Sequence, residues 1–399
     1  MIRTLCALIG MVVLLKAQQL DAIIAHTLEQ HASLQSIEQR LNAADAPIAT
    51  SQLFANPQLV VGMNDILLSD PLNRSQEPMQ TTTVGLKQQI PYFGKRAALK
   101  EAAIAKKNVM YHSLEASKVA LVREIKLTAY TVWSIQEHLR IVQDLIRTLT
   151  QSMELYSVYS QTDESSHMQM MSAELSLSEL KIKKSGLNKE LQRAYARLRY
   201  LAAETLEHLD IELHVNQPLP LQYYLSHREN NRKYDMKKAQ YRAALKQVRI
   251  DELSTKSDPS LQLAYHHREA FDDYLNVSIG VALPIYGRET HRIEASRKEA
   301  LAASLQQSDW LENITAQLHQ EYAALEDAYR VHEIIVHETL PQIEHMFELA
   351  DAAIRHGADM SDYLELIERK LLLDEQRINA VARYYGAQAR LSALIGEKK

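Results

Sequence analysis

The stretch QQIPYFGKR, Gln88 to Arg96, returns about two hundred residues later as VALPIYGRE, Val281 to Glu289. Each copy runs from an apolar-tinged segment into proline, then an aromatic residue, then glycine and a base. In a chain of 399 residues with only ten prolines and ten glycines, such punctuation is scarce. Proline stops a hydrogen-bonded ladder and glycine permits a sharp bend, so each copy marks a change of element.

Working outward from this pair, the chain reads as a duplication. Pro91 and Pro284 are 193 residues apart, and LRYL (Leu198 to Leu201) stands at the same distance from LSAL (Leu391 to Leu394). Upstream, NPQLVVG from Asn56 parallels DPSLQLA from Asp258 at an offset of 202. The first copy therefore carries a short insertion between Pro57 and Pro91, around the polar stretch Ser69 to Thr81, where a surface loop tolerates it.

Before each junction the pattern has period two. Leu59, Val61 and Met63 alternate with Gln58, Val60 and Gly62, as Leu261, Leu263 and Tyr265 do with Ser260, Gln262 and Ala264. Val84, Leu86 and Ile90 oppose Gly85, Lys87 and Gln89, and Val277, Ile279, Val281 and Leu283 oppose Ser278, Gly280 and Ala282. This predicts strands with one apolar and one small or polar face. By pattern alone they suit a sheet half-buried on a soluble core better than a membrane strand, whose signal per strand is weak.

After each junction the period becomes helical. From Leu121 through Ile125, Thr128, Val132, Ile135, Leu139, Val142, Ile146, Leu149 and Met153 to Tyr156, steps of four and three alternate. The return run Leu177, Leu180, Lys184, Leu187, Leu191, Ala194, Leu198, Leu201 and its copy Leu373, Arg377, Ala380, Tyr384, Ala387, Leu391, Leu394 are heptad seams. The stretch from Arg96 to Tyr159 lacks proline and glycine, which predicts a rod on the order of 95 Å that needs lateral partners along its length. Hairpin tips fall near Ser160 to Ser166 and Arg355 to Asp362, and Pro341 predicts a kink in the second hairpin alone, Thr148 standing at the matching place in the first.

Composition bounds the rest. Charged residues make up 24% and there is no internal run of eighteen apolar residues, so any membrane span has to be β. The start, MIRTLCALIGMVVLLKA, predicts a secretory signal over residues 1–17. Its removal takes the only cysteine, Cys6, and makes the net charge of −5 two units more negative, which excludes thiol chemistry and argues against a nucleic-acid partner. No Ser-His-Asp order, phosphate loop or HExxH motif occurs, so no enzyme and no cofactor is expected. Of the sixteen histidines, His332 continues an apolar stripe (Leu311, Ile314, Leu318, Leu325, Ala328, His332, Ile335), while His337 and His345 lie off it without ligand spacing; no metal site is expected. Tyr265, Phe271 and Tyr274 are candidates for an interfacial aromatic belt.

Residues 18–205 thus form one repeat, with strands at about 55–66 and 80–91 and a helical hairpin at about 95–205. Residues 206–399 form the second, with a linker and helix at about 218–256, strands at about 259–270 and 273–284 and a hairpin at about 288–396. The expected fold class is mainly α with a small β part. If the strands span a membrane, four cannot close a barrel and an open edge in lipid is forbidden, so several copies must share one.

At this point the chain resembles the TolC-like outer-membrane efflux channels of Gram-negative bacteria. The resemblance rests on the duplicated junctions (Ile90 to Lys95, Leu283 to Arg288), the NP and DP strand starts and the tract LPQIEHMFELADAAIRHGADMSDYLELIERKL, Leu340 to Leu371. It implies a homotrimer with a twelve-stranded barrel in outer-membrane lipid and a helical tunnel in the periplasm. It also implies a periplasmic adaptor and an inner-membrane pump as partners. Pro91, Gly94, Pro284 and Gly287 then mark the barrel–tunnel junction, and Val84, Leu86, Ile90, Val277, Ile279, Val281 and Leu283 face lipid. Asp362 and Glu365, three apart on one helix face, match the family's acidic periplasmic gate, and Arg355, His356 and Gly357 its adaptor-docking tip. The matching residues of the first hairpin, Gln169 and Ser172, are neutral. The alternative is a soluble periplasmic coiled-coil adaptor or scaffold without a membrane barrel.

Overall fold

The computed structural model describes residues 20–159, 164–354 and 360–398. The signal segment, the start of the first hairpin tip, and Arg355, His356 and Gly357 lie outside them. In chain order the elements are α1 (20–30), α2 (Ala32–Ala43), α3 (Asp45–Thr50), β1 (Gln58–Asn64), β2 (Thr81–Gln89), α4 (Lys95–Tyr159) and α5 (Glu164–Ala202). There follow α6 (Leu221–Ser226), α7 (Arg232–Ser254), β3 (Pro259–His267), β4 (Tyr274–Val281) and α8 (Arg288–Ile334), then α9 (Leu340–Ile354) and α10 (Met360–Leu394). The architecture is mainly helical with one small antiparallel sheet.

The chain divides into two compact units, and neither is one of the two sequence repeats. A strand unit takes residues 37–113 and 233–310, and a helical unit takes 1–36, 114–232 and 311–399. Each draws segments from both repeats.

In the strand unit the four strands lie in the order β1-β2-β3-β4, all antiparallel. Gly85 faces Ala264 across β2 and β3, and a Cβ on Gly85 would stand 2.9 Å from the Leu263 carbonyl oxygen, so only glycine fits that approach. Ion pairs from α4 fix the neighbouring helices, Lys107 to Asp45 at 2.6 Å and Lys246 of α7 to Glu101 at 2.8 Å. Both are exposed, so each contributes about 1 kcal/mol or less.

The helical unit buries its heptad seams. One cluster joins Ile23 and Ile24 of α1 to Val122, Ile125, Ala129 and Val132 of α4 and to Leu198, Leu201 and Ala202 of α5. A second joins Ile141, Val142, Leu145 and Leu149 of α4 to Ala173 and Leu180 of α5 and to Tyr363, Ile367 and Ile378 of α10. Each fully buried Leu or Ile contributes about 1.5–3 kcal/mol. The non-helical segment 203–220 is held by tyrosine hydroxyls: Tyr195 accepts from the Leu209 N–H at 2.9 Å, Tyr384 donates to the Asn216 carbonyl at 2.7 Å, and Tyr385 donates to that of His214 at 2.8 Å.

The proline irregularity sits one turn earlier than the sequence suggests. Between α8 and α9, Ile335–Thr339 forms a π-helical turn that ends two residues before Pro341. Proline has no N–H for the carbonyl four residues back and its ring crowds that carbonyl, so the turn ahead of it widens.

Candidate functional site

The sheet separates two kinds of side chain. On one face stand Leu59, Val61, Val84, Leu86, Leu263, Leu275, Val277, Ile279 and Val281, all exposed, Ile279 to 72%. Ile90 and Leu283 lie just past the strand ends; Ile90 still donates its N–H to the Pro259 carbonyl at 2.9 Å, and Leu283 is exposed. Five of the seven residues expected to face lipid, Val84, Leu86, Val277, Ile279 and Val281, share this face of the sheet, and an uncovered apolar surface of this kind is unusual for a water-facing monomer.

The other face is polar and, at its far end, closed. Thr81, Thr83 and His266 are buried there. Asn64 donates to Thr81 Oγ1 at 2.9 Å and Thr83 Oγ1 at 3.0 Å, and Thr83 Oγ1 lies 2.9 Å from His266 Nδ1. The inserted segment folds over this end: buried Gln80 accepts from the N–H groups of Gln76 and Glu77, and Arg74 donates to the carbonyls of Asn64 and Thr81. Alternation also separates the proposed aromatic belt. Tyr265 is on the apolar face, whereas Tyr274 stacks on His266 at 4.6 Å on the polar one.

At both junctions glycine takes a left-handed conformation, with φ +77° at Gly94 and +72° at Gly287, and a helix starts at the next residue. The preceding Phe93 is also left-handed, φ +56°, a rare state for an aromatic residue. The first junction is clamped by Asp258, the residue before β3. Its carboxylate accepts the Tyr92 N–H at 3.1 Å and pairs with Lys95 at 3.0 Å, both side chains being largely shielded from solvent. Such a charge-assisted pair is worth about 1.5–3 kcal/mol. Lys256 stands 5.3 Å from the Phe93 ring centre, while Tyr286 of the second junction is 91% exposed. The double role of Asp258 went unread in the sequence; the only signal is its acid in place of Asn56 before an otherwise matching proline.

Asp362 and Glu365 are exposed on the first turns of α10, and Glu365 pairs with Arg369 at 2.9 Å along the same helix. Between them Tyr363 points the other way, 2% exposed, accepting from Ser152 at 2.8 Å and meeting Phe347 edge-on at 5.6 Å. Tyr363 thus aims the two acids outward, and its heptad-like spacing to Ile367 was the available signal. In the first hairpin, Tyr156 bonds to Gln169 instead.

Among the histidines, His332 and His337 each lie 3.5 Å from Glu333, and His345 lies 3.7 Å from Glu348. Among the described residues there is no group of three side chains able to hold a metal ion, and no helix long and apolar enough to cross a membrane.

The fold is shared with known channels. It is similar to that of CusC, at 13% identity, TM-score 0.79, over 95% of this chain and 92% of that one. It is similar to the Neisseria gonorrhoeae MtrE outer membrane channel in its open state, at 14% identity, TM-score 0.78, over 95% and 89%. It is also similar to the outer membrane protein VceC of Vibrio cholerae, at 15% identity, TM-score 0.74, over 95% and 96%. At these identities the likeness concerns fold alone. No curated protein sequence matches the chain. Residues 23–204 match the model of the family described as outer membrane efflux protein. That match spans just under half of the chain, the first of its two repeats, and agrees with the resemblance drawn from the duplicated junctions.

Proposed function

We propose that this chain is one subunit of an outer-membrane exit duct. Three copies contribute four strands each to a twelve-stranded barrel, and their helices form a tunnel in the periplasm. The tunnel receives substrate from an inner-membrane pump through a periplasmic adaptor. The observation that carries this reading is the four-stranded sheet with an uncovered apolar face and two outer strands. In lipid such edges must be paired, and pairing between copies closes the ring. The apolar face then meets lipid and the polar face lines the lumen.

Within this duct Pro91–Gly94 and Pro284–Gly287 mark where membrane strands give way to tunnel helices. Asp362 and Glu365, repeated around the axis, form a cation-attracting constriction at the periplasmic end. Arg355, His356 and Gly357 present the tip to the adaptor.

Purification in detergent tests the reading. The expected result is a particle with the mass of three chains that conducts in planar bilayers. A monomer that stays soluble without detergent would favour the coiled-coil adaptor instead. Replacing Asp362 and Glu365 with alanine should raise conductance and weaken cation selectivity; unchanged currents would remove the gate assignment.

A further inference from the structure

We infer that β4 of one copy joins β1 of the next in a single register, Ala282 opposite Gln58, Gly280 opposite Val60 and Ser278 opposite Gly62, and that this seam lacks the ion pair that clamps its counterpart inside the chain. The inference rests on the multi-copy barrel proposed above and names how its subunits meet.

The duplication supplies the template. Advancing β1 by 202 residues and β2 by 193 carries the pair Gln58↔Lys87 onto Ser260↔Gly280, and Val61↔Val84 onto Leu263↔Val277; both are observed. The sequence offsets therefore reproduce strand register to the residue. Only the pairing between repeats, β2 with β3, has no second instance within one chain. Moving β2 forward by 193 onto β4, and β3 back by 202 onto β1, turns Gln89↔Ser260, Lys87↔Gln262 and Gly85↔Ala264 into the three pairs named.

The side chains agree with this register. It sets Ile279 opposite Val61 and Val281 opposite Leu59 on the apolar face, where a slip of one residue would put each against the polar side. Asn56 then occupies the place of Asp258, and Arg288 that of Lys95. Inside the chain, Asp258 takes both the Tyr92 N–H and the Lys95 ammonium. At the seam the acid is replaced by an amide, Arg288 is exposed, and the Ile285 N–H, equivalent to that of Tyr92, turns back to the Leu283 carbonyl at 3.0 Å.

Cysteine pairs test the register in a Cys6→Ser background, which leaves the chain free of native thiols. Because the Ile90 N–H bonds to Pro259, the pairs one step away, including the template for Ser278 and Gly62, are the closely spaced kind. Their Cα separation of about 4.5 Å lies within disulfide range. A Cβ at Gly62 meets nothing within 4 Å. Ser278→Cys with Gly62→Cys should give oxidant-dependent covalent dimers and trimers on non-reducing gels. Ser278→Cys with Gln58→Cys, displaced by four residues or about 13 Å, should stay uncrosslinked.

A conducting, detergent-resistant trimer that crosslinks only in the control would overturn the register and leave the channel reading standing. A monomer with no crosslink in either variant would overturn both. For the missing charge, Asn56→Asp should raise the temperature at which the trimer dissociates in mild detergent by about 2–4 °C, and adding Arg288→Gln should cancel the gain. A gain that survives Arg288→Gln would overturn that part.

Discussion

The two units solve the problem of apolar surface in opposite directions. In the helical unit Ile125, Leu149, Leu198 and Leu391 are wholly buried. In the strand unit Val61, Val277 and Ile279 are more than half exposed, while Thr81, Thr83 and His266 are buried. On the proposed reading the same physics, apolar groups leaving water, gives both arrangements, with lipid in place of a core against the sheet.

Three substitutions test this inversion, in order of decreasing effect. Leu198→Ala should destabilise the helical unit by about 2–5 kcal/mol, because a fully enclosed side chain leaves a cavity; thermal unfolding measures it, and a loss near zero would mean the seam is not a core. Ile279→Arg should cost about 2–4 kcal/mol of stability in a bilayer, measured by urea titration, since on the proposed reading it places a charge against lipid. Its neighbour Ser278→Arg, on the opposite face, should cost far less in the same urea titration. Equal costs would erase the distinction between the faces.

The smallest effect concerns pH and belongs to the helical unit. Burial lowers the pKa of His138, only partly offset by Glu375 and Glu137, while Lys183 lowers it further. The unfolded chain therefore takes up this proton before the folded one does. Stability is intact above the ordinary histidine range near 6.5 and falls as the pH drops below it. Unfolding temperatures between pH 7.5 and 5.5 should decline less in His138→Gln than in the parent.

Much of this contrast is legible in the sequence, because each periodic pattern is local. Alternation in β1 through β4 needs only neighbouring residues, and so does the heptad seam through Leu180, Leu187 and Leu198. What escapes is whatever depends on partners far along the chain. The adjacency of β2 and β3 is one case, since alternation says which way a side chain points and not which strand lies beside it. The hydroxyls of Tyr195, Tyr384 and Tyr385 are another: their carbonyl and amide partners carry no side-chain signal. Pro341 announced a disturbance, but widening a helix ahead of a proline and bending it at the proline look alike in sequence. For the candidate site, the acids Asp362 and Glu365 stood out as charges, whereas Tyr363, which orients them, looked like one tyrosine among nineteen.

The partition into units also sets a timetable. The strand unit is assembled from two separated stretches of chain and is complete only when residue 310 has emerged. The helical unit takes three stretches and waits for the C-terminal segment, where Asn231 donates to the Leu394 carbonyl at 2.9 Å and Lys398 pairs with Glu115. A chain delivered from its N-terminus therefore travels with its sheet incomplete until residue 310 has emerged, and with part of α4's seam uncovered until α10 follows. Its most vulnerable moment comes before the final helix arrives, when a chaperone that shields apolar segments has the most to do.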